Sequence, residues 1–396
     1  MDSWIIFIIL IEYLLIIKGS DDKMSTTNNW VNEAWEQVVK KIGKTSKRIG
    51  ATFPHVSIDG KYNNERVGWW TAGFWPGILW LVYRETKDND LRDIAISIEE
   101  KLDEPLYEFT GIHHDVGFMW IPSAIAHYKL LGNEESKRRG LIAASHLAGR
   151  FNTKGNFIRA WTDKVYPNGQ GVAIIDCMMN LPLLYWASEE TGDPRFKHIA
   201  MAHADTADEE FIRKDGSVHH IVRFDPETGE RIEALAGQGY APDSAWSRGV
   251  AWAIYGMALS YRYTKEPRYL EAAKRAAHFF LANLPEDQMP YWDFRAPVEE
   301  DMAYDSSAAA CAASGLLELA RWVEPNETRM YEETGTRIIK SLYENYGAWD
   351  EEEEALIKKG TVNRNTNKYV NTPIIYGDYF FVEALAKLRG QKDLFW

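Results

Sequence analysis

From about residue 30 onward, apolar residues recur at the spacing of one helix face, as in Leu91-Ile94-Ala95-Ile98, Leu141-Ala144-Leu147-Ala148 and Leu270-Ala273-Ala276-Ala277-Phe280. Strict apolar–polar alternation, the mark of a half-buried strand, is scarce. The helical runs are punctuated at residues 86–90, 132–135, 191–194, 264–267 and 324–328. Each stretch offers Asp, Asn or Glu as a cap, and three add a proline for the first turn. The signals fall roughly 45 to 75 residues apart, a period of one helical hairpin, and the chain holds about six such hairpins. The pattern predicts an all-α fold, six helical hairpins closed into an (α/α)6 barrel, with residues 24–396 as one catalytic domain. An open solenoid has the same periodicity. Five segments rich in Gly and aromatics, 68–77, 113–120, 161–176, 219–252 and 291–307, favour the closed ring because they read as loops lining one mouth. The acidic run 350–354 reads as a solvated loop.

Residues 1–23 stand apart. The apolar run 4–17, interrupted by Glu12, is shorter than the roughly 18–20 residues that span a bilayer, and no basic start or small-residue cleavage site makes it a signal peptide. It reads as an extension, non-native or from a mis-assigned start, with the fold beginning after Met24. No membrane contact is expected, and cytoplasm is the default compartment.

Charge and composition narrow the chemistry. The 396 residues carry 58 acidic and 45 basic side chains, a net charge of −13, so a phosphate backbone has no basic footprint to bind and nucleic acid is excluded as a partner. An anionic substrate would have to be attracted locally. Two cysteines, Cys177 and Cys311, make neither a disulfide framework nor a metal-ligand spacing. The 16 Trp and 20 Tyr exclude disorder; they fill a large core and also supply faces on which sugar rings stack.

Three constellations carry candidate chemistry. His113-His114-Asp115 places a carboxylate beside two imidazoles. Adjacent rings do not easily turn toward one ion and no further ligand is spaced nearby, so no metal is expected; a helix-capping Asp115 is the plainer reading. In Ile174-Ile175-Asp176-Cys177-Met178-Met179-Asn180 an aspartate is surrounded by apolar neighbours, and desolvation raises a carboxyl pKa toward the range of a general acid. A buried Asp with a purely structural hydrogen bond is the alternative. Asp115 and Asp176 on different hairpins can face each other across the pore, as paired carboxyls in glycan-cleaving sites do. The third stretch, Gln238 to Trp252, combines an amide, Trp246, Trp252 and the guanidinium of Arg248, which can grip a carboxylate through two parallel hydrogen bonds. His220 and Trp161 add a donor and a stacking face, and Asp305-Ser306-Ser307 reads as a helix cap.

Taken in order, Trp70-Thr-Ala-Gly-Phe-Trp75-Pro-Gly77, His113-His-Asp-Val-Gly-Phe118, Ile174-Ile-Asp-Cys-Met-Met-Asn180, Gln238-Gly239, Trp246-Ser-Arg-Gly-Val-Ala-Trp252, Tyr291-Trp-Asp293 and Tyr376-Gly-Asp-Tyr379 resemble the unsaturated glucuronyl hydrolases of glycoside hydrolase family 88. The resemblance runs from about Trp30 to Trp396. It implies the (α/α)6 barrel, no metal or organic cofactor, and action on short oligosaccharides bearing a 4,5-unsaturated uronic acid at the non-reducing end. It also implies Asp176 as general acid and base, with Asp115 as the second essential carboxylate. Trp70, Trp161, His220, Gln238, Trp246, Arg248 and Trp252 match its sugar-site positions. Ala72 and Tyr304 depart from residues common in the family. Members that accept sulfated disaccharides carry a hydroxyl-x-x-hydroxyl-x-Lys stretch, which here reads Asn363-Arg-Asn-Thr366-Asn-Lys368. Expected partners are unsaturated uronyl di- and oligosaccharides of chondroitin or hyaluronan type, on a monomer or weak homodimer. A family 105 unsaturated rhamnogalacturonyl hydrolase shares barrel and chemistry, and a non-catalytic sugar-binding barrel is the alternative from another class.

Overall fold

The first helix, α1 over residues 29–49, buries Val31, Ala34, Trp35, Val38 and Ile42 on one stripe and leaves its other face to solvent. After it come α2 (Phe74–Thr86), α3 (Asn89–Lys101), α4 (Asp103–Glu108), α5 (Val116–Trp120), α6 (Ala126–Leu131), α7 (Glu134–Ala148) and α8 (Leu181–Thr191). The remainder are α9 (Pro194–Glu210), α10 (Ser247–Thr264), α11 (Pro267–Asn283), α12 (Ser306–Leu319), α13 (Pro325–Asn345) and α14 (Ile375–Leu388). The computed structural model describes residues 29–109, 111–161, 169–349 and 352–396, so the reading of residues 1–23 as an extension lies outside the described residues.

The helices sort into two layers by composition. In α12 and α14 almost every residue is buried, because these helices face neighbours on all sides. By contrast, α3, α11 and α13 are amphipathic and bury one stripe each. The inner set closes on itself: α2 packs on α14, α14 on α12, α12 on α10, α10 on α8 and α8 on α5, whose π-helical continuation Ile121–Ile125 returns to α2. Close approach needs small residues. A Cβ on Gly256 of α10 would sit 2.5 Å from Met178 Cβ, so only glycine fits there. The result is the (α/α)6 barrel.

The turn signals act as the sequence implies. Asp88, Asn133 and Asp193 accept backbone N–H bonds at the starts of α3, α7 and α9, whereas Glu266 and Glu324 cap nothing and leave Pro267 and Pro325 to open their helices.

Two expectations need correcting. The five aromatic-rich segments are not loops throughout; four run into an inner helix, so that α2, α5, α10 and α12 begin inside them, and the inner ring therefore presents N-terminal ends near the mouth. The fifth, 161–176, leads into a 3₁₀ turn at Ile175–Met179 just before α8. The acidic run is not solvated throughout either: Glu352 is exposed, but the end of the run is not. Asp350 and Glu351 lie outside the described residues, but Glu354 is buried, pairs with Arg48 and accepts the Tyr62 N–H at 2.8 Å.

Short strands also occur. β1 (Ser57–Ile58) pairs antiparallel with β2 (Lys61–Tyr62), and β3 (Phe151–Asn152) with β4 (Phe157–Ile158). β5 (Val172–Ile174), β6 (Ile221–Phe224) and β7 (Arg231–Leu235) form an antiparallel sheet in that order. The β5–β6 register opposes Ile174 to Ile221, and the Ile175 N–H donates to the His220 carbonyl at 3.1 Å. That pairing brings Asp176 and His220 together from separate hairpins.

Candidate active site

A cavity of about 1010 Å³ opens where the inner helices begin, and Asp115, Asp176, Trp70, Trp161, His220, Gln238, Arg248, Asn363 and Lys368 all line it. Ten of the twelve sequence-derived residues thus either border this space or, in one case, brace its wall. The exceptions are instructive. Trp252 is wholly buried and packs on Phe118 and Phe380 at ring separations of 5.2 and 5.5 Å, so it is a core residue behind the wall and not a sugar platform. Thr366 is exposed and does not reach the cavity; its N–H donates to Asn363 Oδ1 at 3.2 Å, shaping the loop that carries Lys368. Trp246 is the braced case. It is buried against the His220 ring at 4.3 Å and under the Arg248 guanidinium at 4.5 Å.

Asp176 follows β5 and sits on the 3₁₀ turn, its side chain 16% exposed. Its Oδ2 has no hydrogen-bond partner among the described residues. Burial and the neighbouring charge of Asp115 push its pKa up to about 7, against a smaller downward pull from Arg248. Asp115 has the opposite fate. Burial alone would raise it, but His114, His113 and Asn180 outweigh that, and its pKa falls below the ordinary carboxylate value. The contacts are His113 Nδ1 to Oδ2 at 3.2 Å, His114 Nε2 to Oδ1 at 3.4 Å and Asn180 Nδ2 to Oδ1 at 3.3 Å. Near pH 7 the Asp176 carboxyl is therefore about half protonated, while Asp115 is ionised.

Asp115 begins α5 but makes no capping bond, so the plain capping role does not apply. The two adjacent imidazoles do converge on its carboxylate, against the expectation that they would diverge: the ligand-type atoms of His113, His114 and Asp115 lie within 4.8 Å of one another. Burial holds His114 neutral, its pKa lowered to about 4, and a neutral ring can still donate one N–H to the carboxylate.

Asn180, buried at the start of α8, ties the Asp115 carboxylate to the backbone of the turn that carries Asp176. Its amide donates to Asp115 Oδ1 and to the Asp176 carbonyl at 3.2 Å, while its oxygen accepts the Phe118 N–H at 2.9 Å. Gly117 makes this possible, since a Cβ there would stand 2.6 Å from Asn180 Oδ1. Asn180 reads in sequence as one polar residue closing an apolar run, which is its only signal.

His220 Nε2 lies 3.8 Å from Asp176 Oδ2. The Gln238 N–H donates to His220 Nδ1 at 2.8 Å, which puts the ring proton on Nε2, facing Asp176. Burial lowers the His220 pKa to about 3, so it is a neutral donor and supplies no positive charge for a substrate carboxylate. Arg248 differs from expectation. It is buried and pairs with Asp305; its terminal N–H groups also meet Thr361 O at 2.7 Å, Gln238 Oε1 at 2.7 Å and Val362 O at 3.0 Å. No open fork remains for a substrate. Arg248 ties α10, α12 and the 361–362 segment together, which sequence spacing does not reveal. Asp305 both caps α12 and neutralises this cation.

The cavity has further cations besides Arg248. Arg66, Arg150, Arg159, Arg248 and Lys368 line the cavity against Asp115 and Asp176. Arg66 and Lys368 stand over Trp69 at 5.7 and 5.9 Å, a position that attracts anions despite the acidic chain. Among these residues, Arg66, Arg150 and Arg159 carry no sequence signal of their own, and Trp69 is marked only by its place in the aromatic-rich segment 68–77.

A toroid of helical hairpins whose cationic, aromatic mouth holds one carboxyl of raised and one of lowered pKa defines a glycosidase of the helical-barrel class. The profile of Glycosyl Hydrolase Family 88 matches residues 41–386, and the chain belongs to that family. The crystal structure of the unsaturated glucuronyl hydrolase of Bacillus sp. GL1 is 38% identical, covers 92% of this chain and 99% of its own, and superposes with a TM-score of 0.89. The unsaturated chondroitin disaccharide hydrolase of Streptococcus pyogenes serotype M1 is 37% identical over 92% of this chain and 93% of its own. A mutant unsaturated glucuronyl hydrolase from Streptococcus agalactiae complexed with dGlcA-GalNAc6S matches at 30% identity, 92% and 93% coverage and a TM-score of 0.80. Among the described residues no helix is long and apolar enough to cross a membrane.

Proposed function

We propose that this protein removes the 4,5-unsaturated uronic acid from the non-reducing end of short glycosaminoglycan oligosaccharides, of chondroitin or hyaluronan type, left by a polysaccharide lyase. The observation that carries the reading is the split between two carboxyls lining one cationic cavity: Asp176 raised to about 7 and Asp115 lowered.

The unsaturated uronate is a vinyl ether whose ring oxygen pushes electron density onto C4. Protonated Asp176 gives its proton to C4, leaving an oxocarbenium-like centre at C5. The resulting carboxylate then takes a proton from water, whose oxygen adds at C5. The hemiketal so formed opens and expels the second sugar, and Asp176 ends protonated as it began. His220 Nε2–H faces Asp176 and stabilises its anionic form between the two steps. Asp115 remains ionised and holds substrate hydroxyls, while Trp70 and Trp161 offer ring faces on the cavity wall.

The pH profile follows. Activity is expected to fall as pH rises through about 7, where Asp176 loses its proton before substrate arrives, and to fall on the acid side only below the ordinary carboxylate range, where Asp115 protonates. A kcat/KM profile that keeps rising above pH 8 contradicts this assignment. Substrate class is tested by following loss of the ultraviolet absorbance of the conjugated double bond on lyase digests of chondroitin, hyaluronan, heparin, gellan, ulvan and pectin. Turnover of the chondroitin or hyaluronan digest is the expected result. Activity confined to the pectic digest would favour a rhamnogalacturonyl substrate instead.

A further inference from the structure

Between α1 and α2 the chain positions a histidine for which the reaction above has no task. The His55 backbone is tied on both sides, its N–H donating to Asn63 Oδ1 at 3.1 Å and its carbonyl accepting the Ile375 N–H at 2.9 Å. The residue is 1% exposed, and its ring meets Trp69 and Tyr369 edge-on at 5.9 and 6.1 Å. Neither ring nitrogen has a hydrogen-bond partner among the described residues, and the Trp69 indole N–H has none either. Both side chains nevertheless line the cavity. An unmet buried donor or acceptor destabilises the fold, so polar atoms gathered this way call for a ligand.

The kind of ligand follows from charge and place. Burial, with Lys368 and Arg248 nearby, lowers the His55 pKa to about 3, so the ring is neutral and presents one N–H and one lone pair. Together with the indole N–H that makes two donors and one acceptor, the complement of sugar hydroxyls and not of a carboxylate. Trp69 is part-exposed and Lys368, over its ring at 5.9 Å, is exposed, so the wall that His55 backs reaches solvent on its Trp69 side. A uronate with C4 and C5 at Asp176 extends its glycosidic partner toward the mouth.

We infer that His55 and Trp69 form the hydrogen-bonding wall for the second sugar of the substrate, engaging its hydroxyls through the imidazole and the indole N–H. The inference rests on the proposed reading of the cavity as an unsaturated-uronide site. A site that hydrogen-bonds a hydroxyl discriminates against a substrate that lacks it, so this wall sets preference for the leaving sugar and not for the uronate.

The test compares two substrates, an unsaturated disaccharide and an unsaturated uronyl aryl glycoside whose leaving group bears no hydroxyls. His55→Ala is expected to raise KM for the disaccharide about tenfold, equal to about 1.4 kcal/mol, with kcat little changed. The aryl glycoside is expected to show no change in kcat/KM. His55→Asn keeps a donor and an acceptor and recovers part of the disaccharide KM. Should His55→Ala fail to fold, Trp69→Phe removes the N–H, keeps a ring and is expected to give the same selective rise in KM. Equal losses on both substrates, or no loss on either, overturn the inference while leaving the hydrolase reading intact. A wild-type protein inactive on every unsaturated uronide overturns that reading, and this wall with it.

Discussion

Asp176→Asn is expected to lower kcat by about 10³-fold or more while leaving the helical far-ultraviolet spectrum intact, because the amide keeps the shape of the acid but has no proton to give. The same variant is expected to be more stable than wild type in mild alkali. In the folded protein the Asp176 carboxyl is raised to about 7, whereas in the unfolded chain it titrates near the ordinary carboxylate value. The folded state therefore binds the proton more tightly, and the stability this confers is lost as pH rises from about 4 through about 7. Asparagine does not ionise and avoids that loss. Thermal midpoints of the two proteins are expected to converge near pH 4 and separate above pH 7, with the variant higher. Near-wild-type turnover in Asp176→Asn would remove the general acid from the mechanism.

Arg248→Met is expected to be the most destabilising single change at the site, by about 3–5 kcal/mol, because it strands the fully buried Asp305 without its counter-charge. It also leaves the carbonyls of Thr361 and Val362 and the amide oxygen of Gln238 without their donor. The Gln238 N–H orients His220, so loosening this strand releases the ring that faces Asp176. Urea unfolding measures the loss. The double variant Arg248→Met/Asp305→Asn is expected to regain much of the stability, since no buried charge is then unpaired, without regaining activity. If Arg248→Met retains wild-type stability and loses only KM, the guanidinium binds substrate directly and the hub described above is wrong.

What is local along the chain is legible in the sequence, and what depends on ring closure is not. Amphipathic stripes such as Leu91-Ile94-Ala95-Ile98 and caps such as Asp88 and Asn133 act over three or four residues, so the helices and their spacing are readable, and six hairpins with buried inner members follow. The apolar neighbours of Asp176 likewise announce a desolvated acid. The strands of the β5–β7 sheet escaped because each is short and carried within aromatic-rich connections, where alternation over three to five residues has little weight.

Tertiary structure alone decided which side of each residue faces the cavity. Trp246 and Trp252 lie close together on the chain, yet one braces His220 and the other vanishes into the core, because Trp246 precedes α10 at its mouth end while Trp252 sits within the helix and packs on Phe118 and Phe380. Arg248, which the sequence offers as a carboxylate clamp, is consumed by Asp305 on the next inner helix. His55 is placed by its backbone bond with Ile375, and the Asn180 amide meets Asp115 from a segment 65 residues away, contacts between distant segments that the local sequence does not show. A single chain fixes the propensity of each segment through contacts a few residues apart; side-chain partners contributed by different hairpins are set by the geometry of the closed ring, which no local pattern encodes.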